Sequence, residues 1–328
     1  MASADTLLQI ESLTKHFPIF GGIIYRQIAT VHAVEDVSLK VRAGETLGLV
    51  GESGCGKSTL GRTLLHLYPP SSGKVIFDGE DLGQVGHRRL RALRAKMQMI
   101  FQDPYESLNP RHTVGQILEE PFIIHGQKDA AVRRDRVRQL LDRVGLAANA
   151  VDRFPHEFSG GQRQRIGIAR AISQHPRLVV CDEAVSALDV SIQSQVLNLL
   201  VELQRELGLT YIFIAHDLAV VKHISDRIAV MYLGRVVELA EADALYASPL
   251  HPYTSFLIQA IPIPDPTRER NRKVLVGDIP SPIKPPQGCK FHTRCPYAQA
   301  ECREREPELK EYRPGHWARC HLVGKISL

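Results

Sequence analysis

The sequence has 328 residues, of which 44% are hydrophobic and 23% charged, enough apolar side chains for a full core and too many for a disordered chain. A net charge of +5 with a pI near 8.9 suits an anionic neighbour without demanding one, and an evenly solvated surface accounts for it. No apolar run reaches the roughly 18 residues that cross a bilayer. The start, Met1-Ala2-Ser3-Ala4-Asp5, lacks the basic-then-apolar pattern of an export signal, so the expected place is the cytosol or the cytosolic face of a membrane.

In chain order, residues 7 to 40 read as short strands and turns: Leu7 to Ile10 is one candidate strand, and Val37 to Val41 alternates as a half-buried one. Phe17 lies between them, placed either to stack on a nucleobase or to fill the core, with Tyr25 as a second candidate ring. The apolar run Thr46 to Val50 then leads into Gly51-Glu52-Ser53-Gly54-Cys55-Gly56-Lys57-Ser58-Thr59, and a helical pattern follows from Leu60. Strand, glycine loop and helix in that order make a phosphate cradle, and a flexible turn that merely contains a lysine fits the flanks poorly. The glycines let backbone N–H groups face a polyphosphate, Lys57 reaches its β and γ phosphates, and the Ser58 hydroxyl binds Mg²⁺. This loop predicts binding of a nucleoside triphosphate.

Residues 74 to 77 read as a further strand. His87 to Lys96 carry six basic side chains at helical spacing and read as a solvated helix face rather than a nucleic-acid contact. The strand Met97 to Phe101 delivers Gln102 to a proline-punctuated loop that ends at Asn109-Pro110-Arg111. From Thr113 to about Val151 the period turns helical, with Val137, Leu140, Leu141 and Val144 on one face and Gly145 as a stop, which predicts a helical insertion in an α/β domain. Ser159-Gly160-Gly161-Gln162 then opens a helix and offers a second set of free N–H groups to an anion.

Leu178 to Cys181 is a buried-strand pattern ending in Asp182-Glu183. Asp182 is placed to hold the Mg²⁺ shell, and Glu183 to orient or deprotonate an attacking water. Ser186-Ala187-Leu188-Asp189 leads into a helix to about Leu207, and the strand Tyr211 to Ala215 presents His216, in reach of a γ-phosphate or a water.

These motifs, in this order and over roughly residues 5 to 245, resemble the ATP-binding cassette (ABC) ATPases. The resemblance implies an α/β P-loop cassette over residues 1–248, with a RecA-like core, an antiparallel β subdomain and a helical subdomain at about 104–170. It implies head-to-tail pairing of two cassettes, so that the phosphate loop of one and Ser159-Gly160-Gly161-Gln162 of the other enclose ATP, with Asp189 and Phe17 in the same binding set. Gln102 joins Ser58 and Asp182 around Mg²⁺, and Glu183, His216, Gln102 and Lys57 form the catalytic set. Where many members carry Pro-Thr after the catalytic glutamate this chain has Ala184-Val185, a change expected to loosen the turn.

The remaining quarter, residues 249–328, is expected to be a separate extension. His251-Pro252-Tyr253-Thr254, the proline-rich run 278–286 and the cysteines from Cys289 resemble the ATPase subunits of dipeptide and oligopeptide importers. The resemblance implies a peripheral protein on the cytoplasmic face of the inner membrane. Its partners would be a second related ATPase, in a heterodimer rather than a homodimer, two transmembrane permease subunits docked beside the Gln102 loop, and an extracytoplasmic peptide-binding protein. Nucleic acid is not among them. Nickel and opine importer ATPases share this architecture, and a non-transport cassette ATPase is the alternative of another class.

Of six cysteines, Cys55 and Cys181 stand alone, and the spacing Cys289-x₅-Cys295-x₆-Cys302-x₁₇-Cys320 lacks the Cys-x₂-Cys pairs of zinc ribbons. Four thiolates can hold tetrahedral zinc or a [4Fe–4S] cluster, or stay unligated, with His292, His316 and His321 as substitute ligands. The resemblance to the peptide-importer ATPases selects the iron–sulfur cluster.

Overall fold

The computed structural model describes residues 6–22, 26–261, 277–326 and 328, so Tyr25 lies outside it. The chain folds as two compact units, one from the stretches 1–41, 46–83 and 215–328, the other from 42–45 and 84–214.

In the first unit, Thr6–Gly21 and Arg26–Arg42 form a four-stranded sheet with Ser72–Phe77 and Glu80–Asp81. The two long strands run well past the short ones expected from the pattern. Their cause is visible in the burial: Leu7, Leu8, Ile10 and Leu13 are buried, while residues 14–21 are half-buried or exposed. A ribbon wetted on both sides shows no clean alternation to detect. A second sheet holds the fully buried strand Thr46–Val50, which pairs parallel with Arg227–Tyr232, then antiparallel Arg235–Glu241 and, from the C-terminal region, His316–Ala318 and Lys310–Arg313. The C-terminal residues thus extend the sheet that carries the phosphate loop.

The second unit has three buried parallel strands, Met97–Ile100, Leu178–Asp182 and Thr210–Ile214, with Leu178–Asp182 in the middle and Ile100, Cys181 and Phe213 in register. Around them stand Val114–Ile124, Ala130–Arg143, Gly160–Ile172 and the 18-residue helix Val190–Leu207. The local chemistry sets these ends. Thr113 and Gln116 form a capping box, Asp129 caps the next helix, and Gly145, at φ +69°, closes it after Val144. The helix His87–Lys96 buries only Leu90 and Leu93, so its basic face is solvated as expected.

Candidate nucleotide site and C-terminal cysteine group

The strand Thr46–Val50 ends at Gly51, and the helix Lys57–Leu64 begins after Gly56. Two glycines of this loop are dictated by space. A Cβ at Gly51 would lie 2.2 Å from the Met231 carbonyl oxygen, and one at Gly56 would lie 2.0 Å from that of Ala33; both residues have φ in the left-handed half of the map. The helix has no side-chain cap and no acidic residue in its first turn, so its dipole favours an anion at this end. Ser53 and Gly54 at the loop tip are exposed, Ser58 and Thr59 half-buried, and Lys57 buried. The Lys57 ammonium donates to the carbonyls of Gly51 (2.7 Å) and Glu52 (3.0 Å) and lies 3.8 Å from Cys55 Sγ, so the cation is held across the mouth of its own loop. Burial pushes the Cys55 thiol up, which keeps it neutral beside that ammonium. Phe17 is half-buried, edge-on to Tyr68 at 5.4 Å with Lys15 Nζ 4.9 Å from its ring centre; it is not a core residue.

The C-terminal residues brace this loop. Arg294 donates from both terminal nitrogens to the Glu52 carboxylate, at 2.6 and 3.0 Å, and the Glu52 N–H donates to Tyr253 Oη at 2.9 Å. Tyr253 packs with Tyr232 and Phe291 at ring distances of 4.8 and 5.3 Å. Fully buried Glu238 accepts from Leu250 N (2.7 Å), His251 N (2.9 Å) and His316 Nε2 (2.7 Å). No local sequence signal pairs Glu52 with Arg294. The two are 242 positions apart, and only a fold brings them together.

In the second unit, Asp182 ends its strand 1% exposed, and Glu183 follows at φ +47°, a conformation that costs a non-glycine residue roughly 1 kcal/mol or more. Glu183 Oε2 accepts from Gln102 Nε2 at 2.9 Å, so two of the expected catalytic residues meet. The turn after Glu183 is tight rather than loose: Ser186 N and Oγ donate to the Glu183 carbonyl at 3.1 and 3.0 Å, Gln193 Nε2 donates to the Val185 carbonyl at 2.8 Å, and Ala184 and Val185 are buried. Ser159 and Gln162 form a capping box on Gly160–Ile172, and a Cβ on Gly161 would meet Ile192 Cγ2 at 2.4 Å, so this glycine sets how closely that helix and Val190–Leu207 approach. Gly160 has Leu188 Cδ2 at 3.6 Å from the same position. Asp189 caps Val190–Leu207 by accepting from Ile192 N at 3.0 Å. His216 lies in the first unit, one residue before Asp217, the cap of Leu218–Ile224.

The C-terminal thiols gather. Cys302, Cys320 and Leu322 form a buried core with Cys289 packed against it, and Cys289 N donates to the Cys302 carbonyl at 2.9 Å. Burial first, then the neighbouring thiols, pushes Cys289, Cys295 and Cys320 each up to about 11. Against that trend, the backbone N–H groups of Phe291, Tyr297 and Leu322 donate to those three sulfurs, an arrangement that favours thiolates. His292 and His321 are engaged with backbone carbonyls, and His316 with Glu238.

An α/β phosphate-loop cassette with these glycines, an acidic pair at a strand end and a capped Ser-Gly-Gly helix defines an ABC ATPase. Solved cassettes agree: cbiO1 of Clostridium perfringens, part of the ABC transporter complex cbiONQ, matches at TM-score 0.64 and 29% identity over 74% of this chain and 92% of that one. The dimeric cassette MJ0796, bound to ADP and phosphate after hydrolysis, matches at TM-score 0.64 and 27% identity over 72% of this chain and 99% of that one. A family model described as ABC transporter matches residues 34–186, and one described as the oligopeptide/dipeptide transporter C-terminal region matches residues 237–302. The oligopeptide transport ATP-binding protein AppF of Bacillus subtilis is 52% identical over 98% of both chains. The probable peptide ABC transporter ATP-binding protein y4tS of Sinorhizobium fredii is 54% identical over 97% of this chain and 90% of its own. The chain belongs to the ABC transporter ATPases of the oligopeptide and dipeptide type.

Proposed function

We propose that this chain is the ATP-hydrolysing motor of a peptide importer. The observation that carries the catalytic part is the Gln102–Glu183 hydrogen bond at the end of the buried strand Leu178–Asp182, on a turn fixed by Ser186 and Gln193. The observation that carries the substrate class is the near full-length likeness to peptide transport ATPases.

The phosphate loop from Gly51 to Thr59 binds the ATP phosphates through its N–H groups. Lys57 exchanges its bonds to the Gly51 and Glu52 carbonyls for phosphate oxygens, and Phe17 stacks on the adenine. Ser58, Gln102 and Asp182 would hold Mg²⁺, which would supply neutralisation of the phosphate charge. The donor set fits a hard cation, since all three offer oxygen. Glu183 accepts a proton from the attacking water as its oxygen bonds to the γ-phosphorus, the bond to the β–γ bridging oxygen breaks, and ADP and phosphate leave. His216 holds the water and phosphate in line, and Lys57 takes up the charge on the transferring group. Ser159, Gly160, Gly161 and Gln162, with Asp189, close on the nucleotide held by the opposing cassette.

That opposing cassette is a second, related ATPase, and the pair works beneath two permease subunits fed by an external peptide-binding protein. The chain is peripheral on the cytoplasmic face of the inner membrane, in keeping with a structure in which no described helix is long and apolar enough to cross a membrane. Cys289, Cys295, Cys302 and Cys320 hold a [4Fe–4S] cluster. The four soft sulfur donors, three of them facing backbone N–H groups, are the ligand set such a cluster would take. Residues 1–248 make the cassette and 249–328 the extension that carries the thiols.

The test is purification from host membranes under anaerobic conditions with Glu183→Gln in place. Co-recovery of two permeases and a second cassette, with ATP retained and turnover lost, is the expected result. Ribosomal or DNA-repair partners, or unimpaired turnover, overturn it.

A further inference from the structure

Outside the nucleotide loop and the cysteine group, one cluster has the chemistry of a metal site. His16 on Thr6–Gly21 and His32 and Glu35 on Arg26–Arg42 bring three ligand atoms within 4.8 Å of one another. Among the described residues it is the one such group of His, Cys, Asp and Glu. Both rings aim a nitrogen at the same carboxylate oxygen: His16 Nε2 and His32 Nδ1 converge on Glu35 Oε1, the latter at 2.7 Å. The ring centres are 4.4 Å apart, with planes tilted by 58°.

We infer that His16, His32 and Glu35 form a binding site for a divalent transition ion of the zinc, nickel or cobalt class. The donor set decides the class. Two imidazoles and one carboxylate suit borderline ions, whereas Mg²⁺ and Ca²⁺ seek all-oxygen shells. Hydrogen bonds from both rings to Glu35 Oε1 hold the three side chains together without an ion, and the same contacts keep two imidazole nitrogens and a carboxylate oxygen gathered where an ion of this class replaces the shared protons. With bonds of about 2.0–2.1 Å, tetrahedral ligand atoms stand roughly 3.3 Å apart, so binding parts both ring nitrogens from Glu35 Oε1, by about 0.6 Å at His32. The side chains are 20–31% exposed, which supplies an entry path and leaves a fourth position for water.

The cluster is held from outside. Arg235 lies 3.7 Å from the second Glu35 oxygen and is itself paired with Asp36 and Glu306, so it orients the carboxylate without adding an unpaired positive charge. Glu35 N donates to the Gly234 carbonyl at 2.8 Å, and His32 N to the Pro282 carbonyl at 3.0 Å. Ala33, between the two ligands, is the residue whose carbonyl closes on Gly56. An ion at this position therefore fastens the strand that carries Phe17 to the segment packed against the phosphate loop and to the C-terminal region. The site itself rests on the ligand geometry and stands or falls apart from the importer reading.

The test is a Co²⁺ titration of the chelator-treated full-length chain, followed by visible absorption. Thiolate ligands give intense charge-transfer bands, and a nitrogen–oxygen site gives only weak d–d bands, so the cysteine group and the histidine group report separately. The wild-type chain is expected to show the nitrogen–oxygen component saturating at one equivalent. His16→Ala and His32→Ala each weaken it at least about tenfold and leave the far-ultraviolet circular dichroism unchanged, which reports that the variant has folded. Zn²⁺ is expected to raise the thermal midpoint of the wild type by more than that of His32→Ala, the difference being the share of the histidine site. Absence of the nitrogen–oxygen component in the wild type, or its survival at unchanged affinity in both histidine variants, overturns the inference.

Discussion

Arg294→Ala isolates what the C-terminal region does for nucleotide binding. Arg294 makes two charge-assisted hydrogen bonds to Glu52 at 2.6 and 3.0 Å, with side chains 6% and 23% exposed. Two unit charges about 4 Å apart at an effective dielectric of 20 attract by about 4 kcal/mol, and partial desolvation offsets about half of that. A net coupling of about 2 kcal/mol follows, above the range of an exposed pair. Its loss lowers the apparent thermal midpoint by roughly 4–8 °C. It also leaves the Glu52 carboxylate uncompensated in a loop that must receive a polyphosphate, so ATP affinity falls by about 5- to 30-fold, the equivalent of 1–2 kcal/mol. The discriminating measurement is a cycle of fluorescent-nucleotide affinities for wild type, Arg294→Ala, Glu52→Gln and the double variant. Removal of the carboxylate should rescue the arginine variant to within about threefold of wild type. A double variant as weak as Arg294→Ala alone would refute the electrostatic reasoning and leave Arg294 as packing only.

Glu183→Gln keeps an acceptor for Gln102 Nε2 and removes the base, so kcat should fall by at least about 100-fold with ATP affinity retained, measured by phosphate release and nucleotide binding. Gly161→Ala gains up to about 1 kcal/mol of helix propensity but places a methyl 2.4 Å from Ile192; the clash wins, and thermal unfolding should show a loss of roughly 1–3 kcal/mol. Gly167→Ala, on the same helix with nothing within 4 Å of the new Cβ, should instead stabilise by about 0.5–1 kcal/mol. Burial lowers the fully buried His251 from 6.5 to about 4, so the unfolded chain binds its proton first: the contribution is whole above about pH 6.5 and is lost as pH falls toward 4, by at most about 3 kcal/mol. His251→Asn keeps a cap for Tyr253 N, removes the titration, and should flatten that limb of the midpoint-against-pH curve.

What the sequence made legible was whatever chemistry is written locally. The phosphate loop shows itself because glycine spacing, a preceding apolar strand and a following helix lie within twenty residues, and the structure gives each of Gly51 and Gly56 a steric reason to be glycine. Ser159-Gly160-Gly161-Gln162 was legible as a helix start, and the structure adds that Ser159 and Gln162 form a capping box. Read as an anion site alone, however, the motif hid its second constraint, the pressure of Ile192 on Gly161. The long hairpin strands were under-read because their far halves are wet on both faces. The Glu52–Arg294 bridge, the three donors on Glu238 and the convergence of His16 with His32 and Glu35 depend on distant segments, for which a single sequence carries no pattern.

In sequence the C-terminal residues read as a separate extension, yet Arg294 and Tyr253 bond to Glu52 of the phosphate loop. A buried carboxylate is tolerable only when its lone pairs are filled, and Glu238 is filled entirely by groups from Leu250, His251 and His316, so the sheet strand Arg235–Glu241 depends on chain that comes later. Removal of those residues would strip the Glu238 carboxylate of its three donors, take Tyr253 and Phe291 from Tyr232, and cost Glu52 its bonds to Tyr253 and Arg294 at once. Truncation before Leu250 should therefore destabilise the unit that holds the phosphate loop rather than release a working cassette. Because the thiols of Cys289 and Cys295 flank Phe291 and Arg294 in sequence, whatever those thiols bind acts on the same brace.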